Sequence, residues 1–355
     1  MDPATHVLFG ALAGRAAVST APTGRFHHAW MPAIISAAGG AFPDIDYLLF
    51  LVNPLTFLAD WHQSYTHSLV LLPLWALVLT GIFILLFPGL RQQWRMTAGL
   101  AALGLATHIL LDLLTVYGTR IFFPVSNQPY SLGTTFVIDP ILSLLVLAGL
   151  VVSCARAPRL AAISFIFLVG AYVLCQWQLQ NHARATGATA PGQPRAAVVD
   201  TVAVPQPFSP FHWLIIRRED DGYASALIDL LGVSEKLARW NSLPFIDLVS
   251  AYRNVAGARW VKYTLHGAQA GQKVLARDAW EQNGMAEFRK FAVFPVLYRI
   301  DRDADATTCV WFSDLRYHIS VMIPSFRYGM CRSADTAAWQ RYRLRYFTLN
   351  DRRHF

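Results

Sequence analysis

Charge is what this chain has least of. Only 15% of its 355 residues are Asp, Glu, Lys or Arg and 54% are hydrophobic, against ~25% charged in ordinary soluble proteins. The shortage is concentrated in the first half. Residues 1–181 contain no Lys, and hold seven of the thirty basic and six of the twenty-two acidic residues. That excludes a water-soluble first half and leaves the second half as a soluble-looking, basic module. Also missing is any run of Lys or Arg. The net charge of +8 is scattered through the second half, which argues against nucleic acid as a partner. The N-terminus lacks the basic stretch of a secretory signal. Asp2 precedes the apolar residues and Arg15 breaks them, so residues 7–17 read as a first short helix. Cysteine is scarce. Cys154 and Cys175 fall in apolar segments and read as packing residues, whereas Cys309 and Cys331 stand in the polar module and can pair in an oxidising compartment. No internal repeat, low-complexity tract or pair of broken helices is present, which counts against a transporter.

What is abundant is apolar sequence with few interruptions. Short Gly/Ala-rich pieces follow a polar turn at 23–28: residues 30–41, then Pro43-Asp44-Ile45-Asp46, then residues 47–52. None is long enough to cross ~30 Å alone, and they read as small-residue helices packed in a bundle. Residues 53–65 form a loop with Asp60, Trp61 and His62. Residues 66–87 read as the clearest spanning helix, 96–116 as the next, and 139–152 and 161–177 as two more. The Arg pairs 91/95 and 156/159 mark their loops as cytoplasmic, against a single Arg120 in loop 117–136. A linker at 182–195 leads to the module, residues 196–355. There strands are expected at 196–204, 213–217, 260–265, 291–300, 308–312 and 318–323, with helices at 244–255 and 278–290. The expected fold is an all-α polytopic membrane bundle (1–181), then a soluble α+β domain with one layer of helices on an antiparallel sheet.

The segment 96–116 carries only two ionisable residues, His108 and Asp112. Four apart, they share a helix face, and ionisable groups at membrane depth are costly enough to mark a functional site. A bare structural reading is a hydrogen-bonded pair that fixes helix packing. Measured from the inner end, His108 lies about 18 Å and Asp112 about 24 Å along the helix, in the outer half of the bilayer. His67 falls at the same level. So do His6, Asp44 and Asp46, provided that the first two segments form a hairpin dipping in from the outer face. Imidazoles and carboxylates in this ratio suit a divalent metal such as zinc, manganese or iron, with no thiolate required. Asp139, followed by Pro140, reads as a helix N-cap. Arg120 could grip a phosphate or simply snorkel at the interface. His62 and Asp60 are candidate supporting or acid/base groups.

Pro43-Asp44-Ile45-Asp46, Tyr65-Thr66-His67-Ser68 and His108-x-x-x-Asp112, with the early His6, resemble the bacterial membrane-bound metal-dependent hydrolase family. That family includes a LexA-regulated inner-membrane protein, and the likeness covers roughly residues 1–180. The order of these residues is also distantly similar to that of zinc-dependent phospholipase C and the related single-strand nucleases. The resemblance implies an inner-membrane enzyme with His6, Asp44, Asp46, His67, His108 and Asp112 as ligands of one or two ions, zinc foremost. The expected reaction is cleavage of a phosphoester in a lipid or lipid-linked substrate at the outer face. A metal-bound hydroxide would be the nucleophile, Asp44 or Asp46 the general base, and the C-terminal domain would be periplasmic. The competing expectation is a non-enzymatic, metal-stabilised membrane scaffold or stress-response protein.

Overall fold

The computed structural model describes residues 1–18, 30–155, 158–189, 198–234, 249–333, 336 and 338–355. The polar turn 23–28, Arg156, residues 244–248 of the helix expected at 244–255 and part of the expected linker lie outside them. Of that helix's described part only residues 249–250 are helical, and the chain turns at 251 to bridge Arg253 to Ile228. The chain divides into two compact units, Met1–Gln178 and Leu179–Phe355.

The first unit is helical. Its α-helices are α1 (Pro3–Ala17), α2 (Met31–Ala41), α3 (Leu72–Leu86), α4 (Trp94–Leu113), α5 (Pro140–Val152) and α6 (Pro158–Thr189), the last running on into the second unit. Two 3₁₀ segments, Phe42–Leu51 and Pro88–Gln93, extend α2 and precede α4. Three stretches among the described residues are long and apolar enough to cross a membrane: Met31–Leu51, Pro88–Leu113 and Arg159–Thr189. Helices α3 and α5 are apolar but shorter.

The helix expected from residue 66 begins only at Leu72. Residues 66–71 are diverted by Ser68, whose hydroxyl oxygen accepts from the backbone N–H of Val70 at 3.0 Å and of Leu71 at 3.3 Å. That local turn competes with helix, and Pro73 then opens α3 where its missing N–H costs nothing. At the other end of the unit, α6 continues to Thr189, so residues 182–189 of the expected linker are helical.

Helices α1, α2 and α4 approach to backbone contact because glycine faces them. A Cβ on Gly104 of α4 would lie 2.0 Å from the Ser36 carbonyl oxygen of α2, and one on Gly40 would lie 2.5 Å from the His6 carbonyl oxygen of α1. Such small-residue contacts replace the hydrophobic driving force that lipid cannot supply. Around them pack Phe9, Leu12, Leu111, Leu142 and Val146 on one side, and Ile35, Leu79, Phe83, Leu100 and Leu105 on the other.

The second unit is α+β, with two antiparallel sheets in place of the single one expected. The first is the meander β1 (Val198–Pro205), β2 (His212–Glu219), β3 (Gly222–Asp229) and β4 (Val261–Tyr263). The helices α7 (Ala270–Glu281) and α8 (Ala286–Phe291) precede a second meander of β5 (Pro295–Arg302), β6 (Thr308–Asp314), β7 (Tyr328–Arg332), β8 (Gln340–Leu344) and β9 (Arg352–His354). The strand expected at 318–323 is a turn. Asp314 accepts from Arg316 N–H at 2.9 Å, starting the 3₁₀ turn Leu315–Tyr317 that leads the chain out of the sheet. Residues 291–294 likewise end α8 and enter a bend before β5 opens at Pro295. Cys309 and Cys331 stand directly opposite in β6 and β7 and are joined by a disulfide.

Candidate metal centre

The residues gathered here come from four places in the chain, each set by local geometry. His6 stands in the first turns of α1, which Asp2 caps by accepting from Thr5 N–H at 3.0 Å. A bond from Asp2 N–H to the Val137 carbonyl, 3.0 Å, pins that end. Asp44 and Asp46 ride on the 3₁₀ segment Phe42–Leu51, opened by Pro43. At three residues per turn, positions two apart point to different sides of the axis, and the two carboxylates diverge accordingly. His67 lies in the irregular stretch before α3. His108 and Asp112 are one turn apart on α4.

Asp112 is the hub. Its Oδ1 lies 3.2 Å from His6 Nε2, and its Oδ2 lies 3.3 Å from both His67 Nε2 and His108 Nε2. The α-amino group of Met1 also pairs with Oδ1. Asp44 Oδ1 faces the same imidazoles from farther off, 3.7 Å from His108 Nε2 and 3.9 Å from His67 Nε2. The His6 and His108 rings stack with centroids 3.7 Å apart. His6, His67, His108 and Asp112 are fully buried, and Asp44 is the open member at 14% side-chain exposure.

The nitrogens are arranged in a way that neutral imidazoles alone do not explain. His108 Nδ1 is 2.6 Å from the Gly40 carbonyl oxygen, an acceptor only, so the proton resides on Nδ1 and Nε2 carries a bare lone pair. His67 Nδ1 is 3.0 Å from Thr66 Oγ1, and that hydroxyl is 3.5 Å from Asp46 Oδ2. Since the carboxylate only accepts, the hydroxyl hydrogen goes to Asp46 and His67 donates to Thr66. The Nε2 of His67 is then bare as well. These two lone pairs face each other at 3.1 Å. Both His6 nitrogens, Asp44 Oδ2 and Asp112 Oδ2 are likewise buried without a hydrogen-bond partner. Buried polar atoms without partners are rare, and a cation would satisfy those among them that accept. Tetrahedral zinc with ligands at 2.0–2.1 Å has ligand-to-ligand edges of about 3.3 Å, the separation these donors show.

Asp46 lies on the other side of its 3₁₀ segment. Its oxygens are 3.2 and 3.1 Å from His62 Nδ1, and Oδ2 is 3.6 Å from His67 Nδ1. Asp46, His62 and His67 thus make a second group of three potential donors, beside His6–Asp44–His108 and His67–His108–Asp112. The His62 ring is boxed by Phe57 and Tyr47, each with centroid at 4.8 Å, and by Tyr117 at 5.0 Å.

The remaining sequence candidates are occupied elsewhere. Arg120 donates to the Asp60 carbonyl at 2.9 Å and to the Ala59 carbonyl, so its fork holds the end of the π-helical turn Phe57–Trp61. Asp60 is half-buried and enters that contact through its backbone. Asp139 caps α5, accepting from Ile141 and Leu142 N–H at 3.0 Å each, and receives the Tyr172 hydroxyl at 2.8 Å. Neither Arg120 nor Asp139 is directed at the cluster by these bonds. Thr66, not singled out from sequence, stands between His67 and Asp46; its place beside a candidate ligand was the available signal.

Fold and site together define a polytopic helical membrane protein with a buried His–Asp cluster. The chain belongs to the family of the YdjM inner membrane protein, which matches residues 1–183. It is also similar to the protein YfhP of Bacillus subtilis (strain 168), itself described as uncharacterized. The two are 30% identical over 181 residues, which are 49% of this chain and 53% of YfhP, so the likeness spans about half of each. No solved structure matches the chain.

Proposed function

We propose that this chain is a membrane-embedded, metal-dependent hydrolase that acts on a phosphoester of a lipid or lipid-linked substrate at the outer face of the inner membrane. The observation that carries the metal is the pair of bare Nε2 lone pairs of His67 and His108, 3.1 Å apart and beside Asp112. His6, His67, His108 and Asp112 would hold the ion, zinc being the best fit to nitrogen and carboxylate donors. When bound, such an ion supplies Lewis acidity and makes water nucleophilic near neutral pH. Asp44, the most exposed member and one whose Oδ2 has no hydrogen-bond partner, is placed to accept a proton from incoming water. Asp46, engaged with His62, is not.

The outer face is supported by the distribution of arginine. Arg91 and Arg95 lie at the start of α4, far from His108 and Asp112 at its end. Arg15 lies at the far end of α1 from His6, and Arg159 bonds the Ala16 carbonyl beside it. By the positive-inside rule the arginine-rich end is cytoplasmic. The Cys309–Cys331 disulfide suits an oxidising compartment for the second unit. A lipid substrate is supported by the 3₁₀ segment carrying Asp44, which exposes Ile45, Tyr47, Leu48 and Leu51 around it. Membrane lipid is accordingly the proposed partner.

The number of protein donors favours a second reading. Five donor residues around one point could close a structural ion completely, as a scaffold would require, whereas catalysis needs an open position. Elemental analysis of purified protein beside His108→Ala separates the first question from the second. Equal metal in both removes the metal centre. If metal is lost with His108, release of phosphate or diacylglycerol from a panel of phospholipids supports the enzyme, and a metal-loaded protein inert on the whole panel supports the scaffold.

A further inference from the structure

His67 differs from the other imidazoles of the centre in how it is held. His6 and His108 ride on α1 and α4, whereas His67 sits in an irregular stretch between helices. Its ring orientation therefore depends on side-chain partners, and both of its nitrogens have them. Nε2 faces Asp112 and His108. Nδ1 faces the Thr66 hydroxyl at 3.0 Å, which in turn lies 3.5 Å from Asp46 Oδ2. Behind Asp46 stands His62, with Nδ1 3.1 Å from the same Oδ2. His62 cannot swing away, because Phe57, Tyr47 and Tyr117 enclose its ring and the Tyr117 hydroxyl is anchored on the Leu58 carbonyl at 2.7 Å.

We propose that Thr66, Asp46 and His62 form a positioning chain that fixes His67 with its proton on Nδ1 and its Nε2 lone pair aimed into the centre. This rests on the metal reading above and extends it to residues that do not touch the ion. Donor and acceptor order leaves one consistent pattern. Asp46 accepts from His62 Nδ1–H on one side and from the Thr66 hydroxyl on the other. Thr66, having given its hydrogen to Asp46, accepts from His67 Nδ1–H. Partners of this kind set the tautomer and basicity of a metal-binding imidazole, and losing one typically costs 10–100-fold in metal affinity. The chain also explains why Asp44 and Asp46 diverge from one 3₁₀ turn. One carboxylate serves the centre and the other serves its support.

Zinc affinity of the full-length protein in detergent, measured by chelator competition, tests the proposal. Thr66→Val keeps the shape and removes the hydroxyl, and is expected to bind the wild-type number of ions 10–100-fold more weakly. Thr66→Ser restores the hydroxyl and is expected to bind within threefold of wild type. Asp46→Asn should weaken binding without changing the number of ions. An unchanged affinity in Thr66→Val overturns the proposal even if Asp46→Asn fails to fold. So does the loss of one ion per chain in Asp46→Asn, which would make Asp46 a ligand. A wild-type protein that binds no zinc removes the metal reading itself, and is distinguished from both outcomes.

Discussion

Asp44 is the residue whose role most needs separating from that of its neighbours. It lies farther from the imidazole nitrogens than Asp112 does, 3.7–3.9 Å against 3.3 Å, and it alone of the cluster reaches the surface. A proton acceptor should therefore be removable without emptying the centre. Asp44→Asn is expected to keep its zinc content within twofold while lipid phosphoester hydrolysis falls 10²–10⁴-fold, the range for general-base loss. Loss of zinc in parallel with activity would make Asp44 a ligand instead. That His6, Asp44, His67, His108 and Asp112 meet in space could be read from sequence, because an ionisable side chain in an apolar run has few reasons to be there. His62 is a candidate supporting group from sequence, but its link to the cluster through Asp46 and Thr66 is not legible there. The separation of Asp44 from Asp46 depends on a 3₁₀ segment of ten residues, and no hydrophobic period announces that winding. Arg120 looked available for an anion only because backbone carbonyls, its actual partners, leave no trace in residue spacing.

Among the elements, α1, α2 and α4 determine whether the centre exists at all, since they bring His6, the start of the 3₁₀ segment, and His108 with Asp112 to one place. Their contact depends on backbone approach at Gly104, where even one added carbon would sit 2.0 Å from the Ser36 carbonyl oxygen. Gly104→Val should therefore force α4 away from α2. The expected result is loss of bound zinc with a marked fall in thermal stability, whereas Gly99→Ala, on the same helix with open space at its Cβ, should change neither. Zinc content and a melting curve of the two variants check this, and wild-type zinc in Gly104→Val would show that the helices can part without opening the centre. The helices were legible from their apolar runs. Helix α3 was read six residues too long because hydropathy does not register the Ser68 turn. In the second unit, β3, β7, β8 and β9 were not expected from sequence. The last two are short and rich in arginine, Gln340–Leu344 and Arg352–His354, and lack the apolar runs that mark the expected strands. Their arginines are taken up instead by neighbours, as Arg341 is by Glu287 and Arg352 by Asp301 and Asp303.

At the scale of the whole molecule, the two units should respond to different variables. The second contains His318, whose imidazole bonds the Ser313 hydroxyl at 2.9 Å. Burial pushes this imidazole down from 6.5 to about 4, with the charge of Asp314 opposing in part. Between those values the unfolded chain binds the proton and the folded one does not, so stability is full above pH 6.5 and declines as pH falls toward 4. The contribution is on the order of 2–3 kcal/mol. Denaturant unfolding of the full-length protein in detergent at pH 7.5 and 4.5 should show a smaller loss in His318→Gln than in wild type. Equal losses would mean that His318 is not the group responsible.

The location of the centre follows from a different property, the charge of the loops. Arg91 precedes α4 and Arg95 lies in its first turn, and Arg159 begins α6 beside the end of α1, whereas Arg120 is the one arginine of the loop near the cluster. If the arginine-rich end is cytoplasmic, a periplasm-dependent reporter such as alkaline phosphatase should be inactive when inserted between Pro88 and Gln93. Fused after Phe355 it should be active, and Cys309–Cys331 should then resist alkylation in intact cells until a reductant is added. The reverse reporter pattern would place the His–Asp centre near the cytoplasmic leaflet and the disulfide in a reducing compartment. That outcome would leave the proposed metal chemistry untouched, but it would move the proposed substrate to the inner leaflet.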